Sequence, residues 1–310
     1  MLTYAEAPVL ERDDRPAYRT YSATVARILE LSPSFRRVTF TAPDFATFGD
    51  DRLDQRIKLM FPLPGLGLSD ISHSPDWYSV WRELPDERRN PFRTYTVRAI
   101  DRAAAELDVD FFVHEDGGPA SRWLASAAEG DELVIVGPDG RSIHSAAGID
   151  WQPGDATRML LAGDETATPA ICSILESLPS HVTAHAFIQV PTMADAQPVT
   201  SAADITVTWL TREAGATQVE AAVRAWTAEH PRAYASALSA SRQELADIDV
   251  DTELLWDSPQ ASPGDFYAWL AGESALIKSL RRFLVTETGI DRKRVAFMGY
   301  WRLGKAEAQE

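Results

Sequence analysis

The chain predicts two domains in succession, an antiparallel β-barrel followed by an α/β domain on a parallel sheet. Before residue 140 it offers short runs rich in β-branched and aromatic residues, broken by Pro and Gly clusters, which is the pattern of a small closed barrel. From residue 159 onward, strands alternate with helical stretches, an order that makes a parallel sheet with helices on both faces. Between the two, residues 141–156 contain Gly148, Pro153 and Gly154 without any periodicity and read as the connection. A boundary there gives domains of 1–145 and 146–310, each long enough to bury a core.

In the first domain, strands are expected over 21–28, 35–41, 56–61, 93–100 and 106–113, with turns at 62–67 and 137–140. One helix interrupts them, over 77–84. It sets Trp77, Trp81 and Leu84 on one face, a packing stripe rather than a cofactor box. A second short helix, 120–128, follows the turn Gly117-Gly118-Pro119. The second domain reads strand 159–162, helix 169–178, strands 185–190 and 205–210, helix 217–226, strand 266–270, helix 273–288 and strand 295–299. Residues 227–262, rich in Ala, Ser and Asp, yield no element.

Composition narrows the function classes. The chain has 310 residues, with 30 Lys and Arg against 46 Asp and Glu, a net charge of −16. That balance opposes binding to nucleic acid or to an anionic membrane, and an anionic small molecule would need a local basic pocket. Cys172 is the only cysteine, so no intrachain disulfide forms, and its apolar helical setting suits a buried inert thiol. Residues 1–15 carry acids and no apolar core, unlike a signal peptide, and no run reaches membrane-spanning length. The cytoplasm is the expected compartment.

Two segments carry the chemistry of the first half. Arg93-Thr94-Tyr95-Thr96 combines a cation, an aromatic ring and a hydroxyl on one strand, with Arg93 and Tyr95 on one face and Thr94 and Thr96 on the other. Eighteen residues past Thr96 comes His114, followed by Gly117-Gly118-Pro119-Ala120-Ser121, where exposed N–H groups at a turn and helix start can receive an anion. A flavin dinucleotide needs such parts: a guanidinium for the pyrophosphate, a flat ring against the isoalloxazine and a donor near N5.

In the second half, Leu161-Ala162-Gly163-Asp164-Glu165-Thr166-Ala167-Thr168-Pro169 spans a strand's carboxyl end and the following helix start, the place where ligands bind in open α/β sheets. Thr166 can cap that helix or bond a phosphate or ribose. A second such corner, Ala271-Gly272-Glu273, suggests one shared nucleotide crevice. Gly299-Tyr300-Trp301-Arg302-Leu303-Gly304-Lys305-Ala306 nearly spells a phosphate loop, but Ala306 replaces the magnesium-binding hydroxyl and only four residues of the sequence remain for the required helix. The Tyr300-Trp301 pair reads instead as a lid over a flat ring or as core packing. No Gly-x-Gly-x-x-Gly, no Gly-x-Ser-x-Gly and no clustered Cys/His set is present, so no metal ligands are assigned.

Taken in order, Leu53-Asp54-Gln55-Arg56-Ile57-Lys58, Arg93 to Arg98, His114 with Gly118 to Ser121, Ala162 to Ala167, Ala271-Gly272-Glu273 and Gly299 to Gly304 resemble the siderophore-interacting protein family, within the ferredoxin–NADP reductase-like group. The resemblance runs from Tyr18 to Gly304. It implies an FAD-binding barrel, an NAD(P)H-binding α/β domain and reduction of Fe(III) held by a siderophore. It assigns FAD contacts to Arg93, Tyr95, Thr96, His114, Gly118, Ala120 and Ser121, with Thr166 at the domain junction. From the residues themselves, Tyr300 and Trp301 are expected as further cofactor contacts, and Tyr95 and Thr96 as the residues nearest the chemistry. Lys58 and Arg302 match the basic residues associated with the ferric chelate. Where relatives often carry Gly-Pro-Arg-Gly, this chain has Gly137-Pro138-Asp139-Gly140-Arg141, which moves the basic residue to Arg141 or removes it. NADH, NADPH or a ferredoxin remain open as the donor. The alternatives are a general flavin or ferredoxin-type reductase with another acceptor, and a siderophore-binding module without turnover.

Overall fold

A computed structural model describes residues 9–69, 76–113, 118–212, 218–250 and 252–304. The chain divides into two compact units, Met1–Ile149 and Asp150–Glu307. Residues 146–149, assigned above to the second domain, pack with the first: the Gly148 carbonyl accepts from the Arg56 amide at 3.0 Å.

The first unit is a seven-stranded antiparallel sheet. Its strands are β1 (Tyr18–Ser32), β2 (Phe35–Thr41), β3 (Arg56–Met60), β4 (Phe92–Thr96), β5 (Ala99–Asp101), β6 (Glu106–Phe112) and β7 (Glu132–Pro138), in the order β4-β3-β7-β1-β2-β6-β5. The two edges, β4 and β5, are consecutive in the chain and separated only by Val97 and Arg98. The predicted strand 93–100 is therefore bent into two, and the bend carries the chain from one edge to the other, curling the sheet on itself. Strand β7 was missing from the sequence reading, because Gly137 and Pro138 at its end look like a turn. Glycine is required at 137, since a Cβ there would meet the Phe48 ring at 2.6 Å. The core inside the curl holds Tyr21, Val38, Phe40, Ile57, Leu59, Val109, Phe111 and Ile135. Two helices flank it, α1 (Trp77–Glu83) and α2 (Pro119–Ser126). Trp81 of α1 packs with Met60 and Phe92 in a satellite cluster, so this helix's apolar stripe is a packing face.

The second unit carries a six-stranded mixed sheet. Strands β8 (Arg158–Gly163), β9 (Thr183–Val190), β10 (Asp204–Thr211), β12 (Phe266–Glu273) and β13 (Val295–Trp301) run parallel, in the order β10-β9-β8-β12-β13. The two-residue β11 (Trp256–Asp257) adds antiparallel to β13 from the stretch that gave no prediction. Helices α4 (Gln218–Glu229) and α5 (Ser274–Arg281) cover one face, where Val223, Trp226, Ile277 and Leu280 meet Leu160, Ala162 and Phe297. Helix α3 (Thr168–Ser177) covers the other, since Ile171 approaches Gly163, which points opposite to Ala162. Cys172 is buried within α3. The predicted helix 273–288 is α5 followed by a π-helical turn, Arg282–Glu287, and the predicted start of α4 at Thr217 lies outside the described residues.

Candidate functional site

In the first unit the sheet edge positions the side chains. Strand β4 lies antiparallel to β3, with Ile57 opposite Tyr95, Lys58 opposite Thr94 and Leu59 opposite Arg93. Ile57 and Leu59 are core residues, so Arg93 and Tyr95 share the core-side face of this ribbon. Tyr95 is half-buried, its ring backed by Phe111 with centroids 4.5 Å apart; Phe111 in turn packs on Trp123 of α2 at 5.9 Å. Phe111 thereby connects the Arg-x-Tyr-Thr strand with the helix after the Gly-Pro turn. Arg93 donates from Nη1 to the carbonyl of Phe92 at 2.7 Å.

Helix α2 begins at Gly118 without a side-chain cap. A Cβ on Gly118 would meet nothing within 4 Å, Ala120 is buried against the core and Ser121 is half-buried. His114 lies outside the described residues. These parts fit a flavin dinucleotide: a half-exposed ring face with rigid support, a guanidinium on the same face and a helix start open to phosphate.

Lys58 stands on the opposite face of the ribbon, with Thr94. Its Nζ lies 3.3 Å from the Thr94 hydroxyl and 4.7 Å from the centre of the Phe92 ring. Thr96, on this face too, is buried. Because β4 is an edge strand, a ligand lying along it can reach residues of both faces. Arg141 is placed elsewhere, in the wall of a cleft of about 460 Å³ lined also by Arg15, Tyr18, Arg19, Asp44 and Asp139. Its Nε and Nη2 donate to the two Asp139 oxygens at 2.9 and 2.7 Å. Burial works to raise the Asp139 carboxyl, yet Arg141, with Arg15, holds it below the ordinary carboxylate range. The aspartate at this departure from the family pattern thus neutralises the arginine two residues on.

In the second unit, the carboxyl ends of β8, β12 and β13 meet at Asp164, which is 3% exposed. Its Oδ1 accepts from the Thr166 amide at 2.9 Å and the Thr166 hydroxyl at 2.6 Å; its Oδ2 accepts from the Glu273 amide and from Trp301 Nε1, both at 2.8 Å. Thr166 therefore does not cap α3, whose cap position is Ala167 and has no side-chain bond. Glu273 caps α5 instead, accepting from the amides of Ala275 and Leu276 at 2.8 and 3.0 Å. Tyr300 stacks on Trp256 at 5.7 Å and 17°, and Arg302 donates to the Glu253 carbonyl at 2.5 Å.

Beside Asp164, Glu165 is 2% exposed and receives Arg212, which stands at the carboxyl end of β10; its Oε2 is buried without a hydrogen-bond partner. Burial first, and then the charge of Asp164, push the Glu165 carboxyl above its ordinary range, while Arg212 pulls it back. Asp164, Glu165, Arg212 and Glu273 were not assigned as site residues from sequence. Two adjacent acids directly after a buried strand end are the signal that could have found the first two, since acids seldom lie fully buried without partners.

Comparison with known proteins adds three findings. Residues 24–142 match the profile of the siderophore-interacting FAD-binding domain, and residues 156–304 that of the siderophore-interacting protein. Among solved structures, a siderophore-interacting protein from Aeromonas hydrophila is 30% identical, with a TM-score of 0.65 over 94% of this chain and 95% of that one. Among curated relatives, the ferric vibriobactin reductase of Vibrio cholerae is 28% identical over 89% of this chain and 87% of its own. The NADPH-dependent ferric-chelate reductase of Escherichia coli is 27% identical over 90% and 91%.

Proposed function

The chain belongs to the siderophore-interacting protein family, and from that premise we propose that it is an FAD-dependent ferric-siderophore reductase supplied with electrons by NAD(P)H. The observation that carries the reading is the β4 face: Tyr95, backed by Phe111, beside Arg93 and the uncapped start of α2, within the half that matches an FAD-binding domain. The names of the Vibrio and Escherichia relatives support the ferric chelate as substrate class and the nicotinamide as donor.

In this reading Arg93 would hold the pyrophosphate by charge-assisted bonds, the amides at the start of α2 would take up phosphate charge, and Tyr95 would support the isoalloxazine. Thr96 offers a hydroxyl from the edge strand. Bound FAD supplies the exchange between a two-electron donor and a one-electron acceptor. Lys58 and Arg302 attract the anionic chelate against a net charge of −16. One NAD(P)H gives up a hydride, leaving NAD(P)+ and a proton, and its two electrons convert two ferric chelates to ferrous ones. Hard oxygen donors hold Fe(II) less well than Fe(III), so the iron is released without breaking the chelator. NAD(P)H is a metabolite of the cytoplasm, where this reading puts the protein.

The test is spectroscopic. On this reading purified protein should be yellow, should be bleached by NADH or NADPH under nitrogen, and should regain its colour when a ferric siderophore is added with a ferrous trap present. Bleaching without reoxidation by the ferric chelate, but with reoxidation by free flavin, quinone or ferredoxin, identifies a general reductase. A colourless protein that binds the chelate identifies a binding module.

A further inference from the structure

We propose that Asp164 is a positioning residue for the electron donor: its buried carboxylate fixes the indole of Trp301 as a wall of the dinucleotide crevice at the carboxyl ends of β8, β12 and β13. This rests on the reading that the second unit binds NAD(P)H.

The geometry is that of a hub. A carboxylate has about four lone-pair sites, and all four here receive donors from this chain: two from Thr166, one from the Glu273 amide and one from Trp301 Nε1. The donors come from three strand ends, spaced 109 and 137 residues from Asp164. The backbone is shaped around this acid. Gly272 holds φ at +148°, and a Cβ there would stand 2.6 Å from Asp164 Oδ2. A residue needed only to start α3 would call for one bond to the helix amides, and Asp164 gives none with its side chain beyond Thr166.

Trp301 is held at both ends. Its indole N–H is tied to Asp164, and its carbonyl accepts from the Ser274 hydroxyl at 3.0 Å. Its neighbour Tyr300 is engaged by Trp256 and Trp269, whereas the Trp301 ring, half-buried, stacks on no other aromatic among the described residues. A flat ring immobilised by a charge-assisted bond, at the strand ends where open α/β sheets bind nucleotides, is ordered before the ligand arrives. Its ordering is then not charged against binding, which is the advantage of a preorganised wall for a planar ring.

The experiment is a double-mutant cycle on holoenzyme, read by calorimetric titration of NAD+ and NADP+ and by thermal unfolding. Asp164→Asn should weaken binding of the preferred nucleotide about tenfold, because one acceptor oxygen becomes a donor facing a donor. Trp301→Ala should weaken it by a similar factor. Combined, the two should cost little more than either alone, since Asp164 acts through the indole. Trp301→Phe keeps a ring and removes only the N–H; with its melting temperature near wild type it should still weaken binding severalfold, and it remains informative if Asp164→Asn fails to fold. Multiplying effects in the double variant, or a lowered melting temperature with unchanged affinity in the single ones, reduces Asp164 to a structural anchor and overturns the proposal. Wild-type protein that binds neither nucleotide overturns the donor reading itself, an outcome visible before any variant is made.

Discussion

The β4 edge of the first unit and the Asp164 hub of the second solve different problems with similar means. At β4, four consecutive residues supply a cation, a ring and a hydroxyl, and the fold contributes a stiff backing in Phe111. At the hub, the functional unit does not exist in any short stretch: Asp164, Glu273 and Trp301 come together only when three parallel strands end at one level. The first arrangement presents its side chains along a sheet edge, and the second ties its polar groups to one another around a buried carboxylate. Local chemistry is therefore displayed at one site and hidden at the other, and the two should respond differently to the same kind of change.

The largest contrast is expected from glycine. Gly272→Ala places a side chain at φ +148°, with its Cβ 2.6 Å from a buried carboxylate. The cost should be about 2–4 kcal/mol from backbone strain and disruption of a buried network, read as a fall in the second unit's melting temperature. Gly118→Ala has φ −60° and an empty surround, so its stability cost should stay below about 1 kcal/mol, the weaker helix-start propensity of alanine. Its FAD content should fall nonetheless, because the methyl occupies the approach to the helix amides. Equal flavin content in Gly118→Ala and wild type would remove that turn from the cofactor site.

Next in size are the aromatic and the hydroxyl of β4. Tyr95→Ala removes the ring that rests on Phe111 and should weaken FAD retention by about tenfold, the worth of a ring contact plus its apolar area. Thr96→Ala should leave FAD bound and slow its reduction, since only one hydrogen bond is lost. If β4 merely packs the barrel, both variants lower the melting temperature while flavin stoichiometry stays at wild type.

Most of the fold was legible because periodicity is a local property. Strands β2, β3, β6 and β10 and helices α1 and α3 emerge near their predicted limits, since their apolar residues alternate or recur with the helical period. What escaped depends on distant partners. Strand β7 ends in Gly137-Pro138, a turn signal overridden by pairing with Tyr18 and Arg19 of β1. The bend at Val97-Arg98 follows from closing the curl rather than from any breaker residue. At the site, Arg93, Tyr95 and Thr96 could be named from a tetrapeptide, whereas the roles of Thr166 and Trp301 are set by a carboxylate whose other donors lie more than a hundred residues away. The pairing of Arg141 with Asp139 is the reverse case: two residues apart, and readable only once the buried position of Asp139 is known.

Lys58 offers a finer test of the display at β4. Its ammonium lies over Phe92 and beside Thr94, so part of its charge is already engaged. Lys58→Glu should raise the Michaelis constant for an anionic ferric chelate about tenfold at low ionic strength, and much less for a neutral one. Added salt should narrow the gap between variant and wild type. Chelate kinetics equal to wild type at low salt would make Lys58 a structural lysine of the β3–β4 ribbon.

The smallest expected effect concerns protons, and it asks whether the second unit's reliance on buried polar groups extends beyond the hub. His185 of β9 packs against Trp226 at 5.4 Å and His230 at 5.3 Å. Burial first, and then the neighbouring His230, depress its imidazole below the ordinary histidine range, with Asp204 opposing them. The sign follows from which state binds the proton. Below an unfolded value of about 6.5 the unfolded chain takes up a proton that folded His185 resists, so stability is lost as the pH falls toward the depressed folded value. Well above that unfolded value both states are deprotonated and the effect vanishes. Calorimetric melting between pH 7 and 5.5, above the ordinary carboxylate range although Glu165 is raised out of it, should show the second unit's transition moving down, and His185→Gln should flatten that slope relative to wild type. An unchanged slope in the variant assigns any acid sensitivity in this window to other groups.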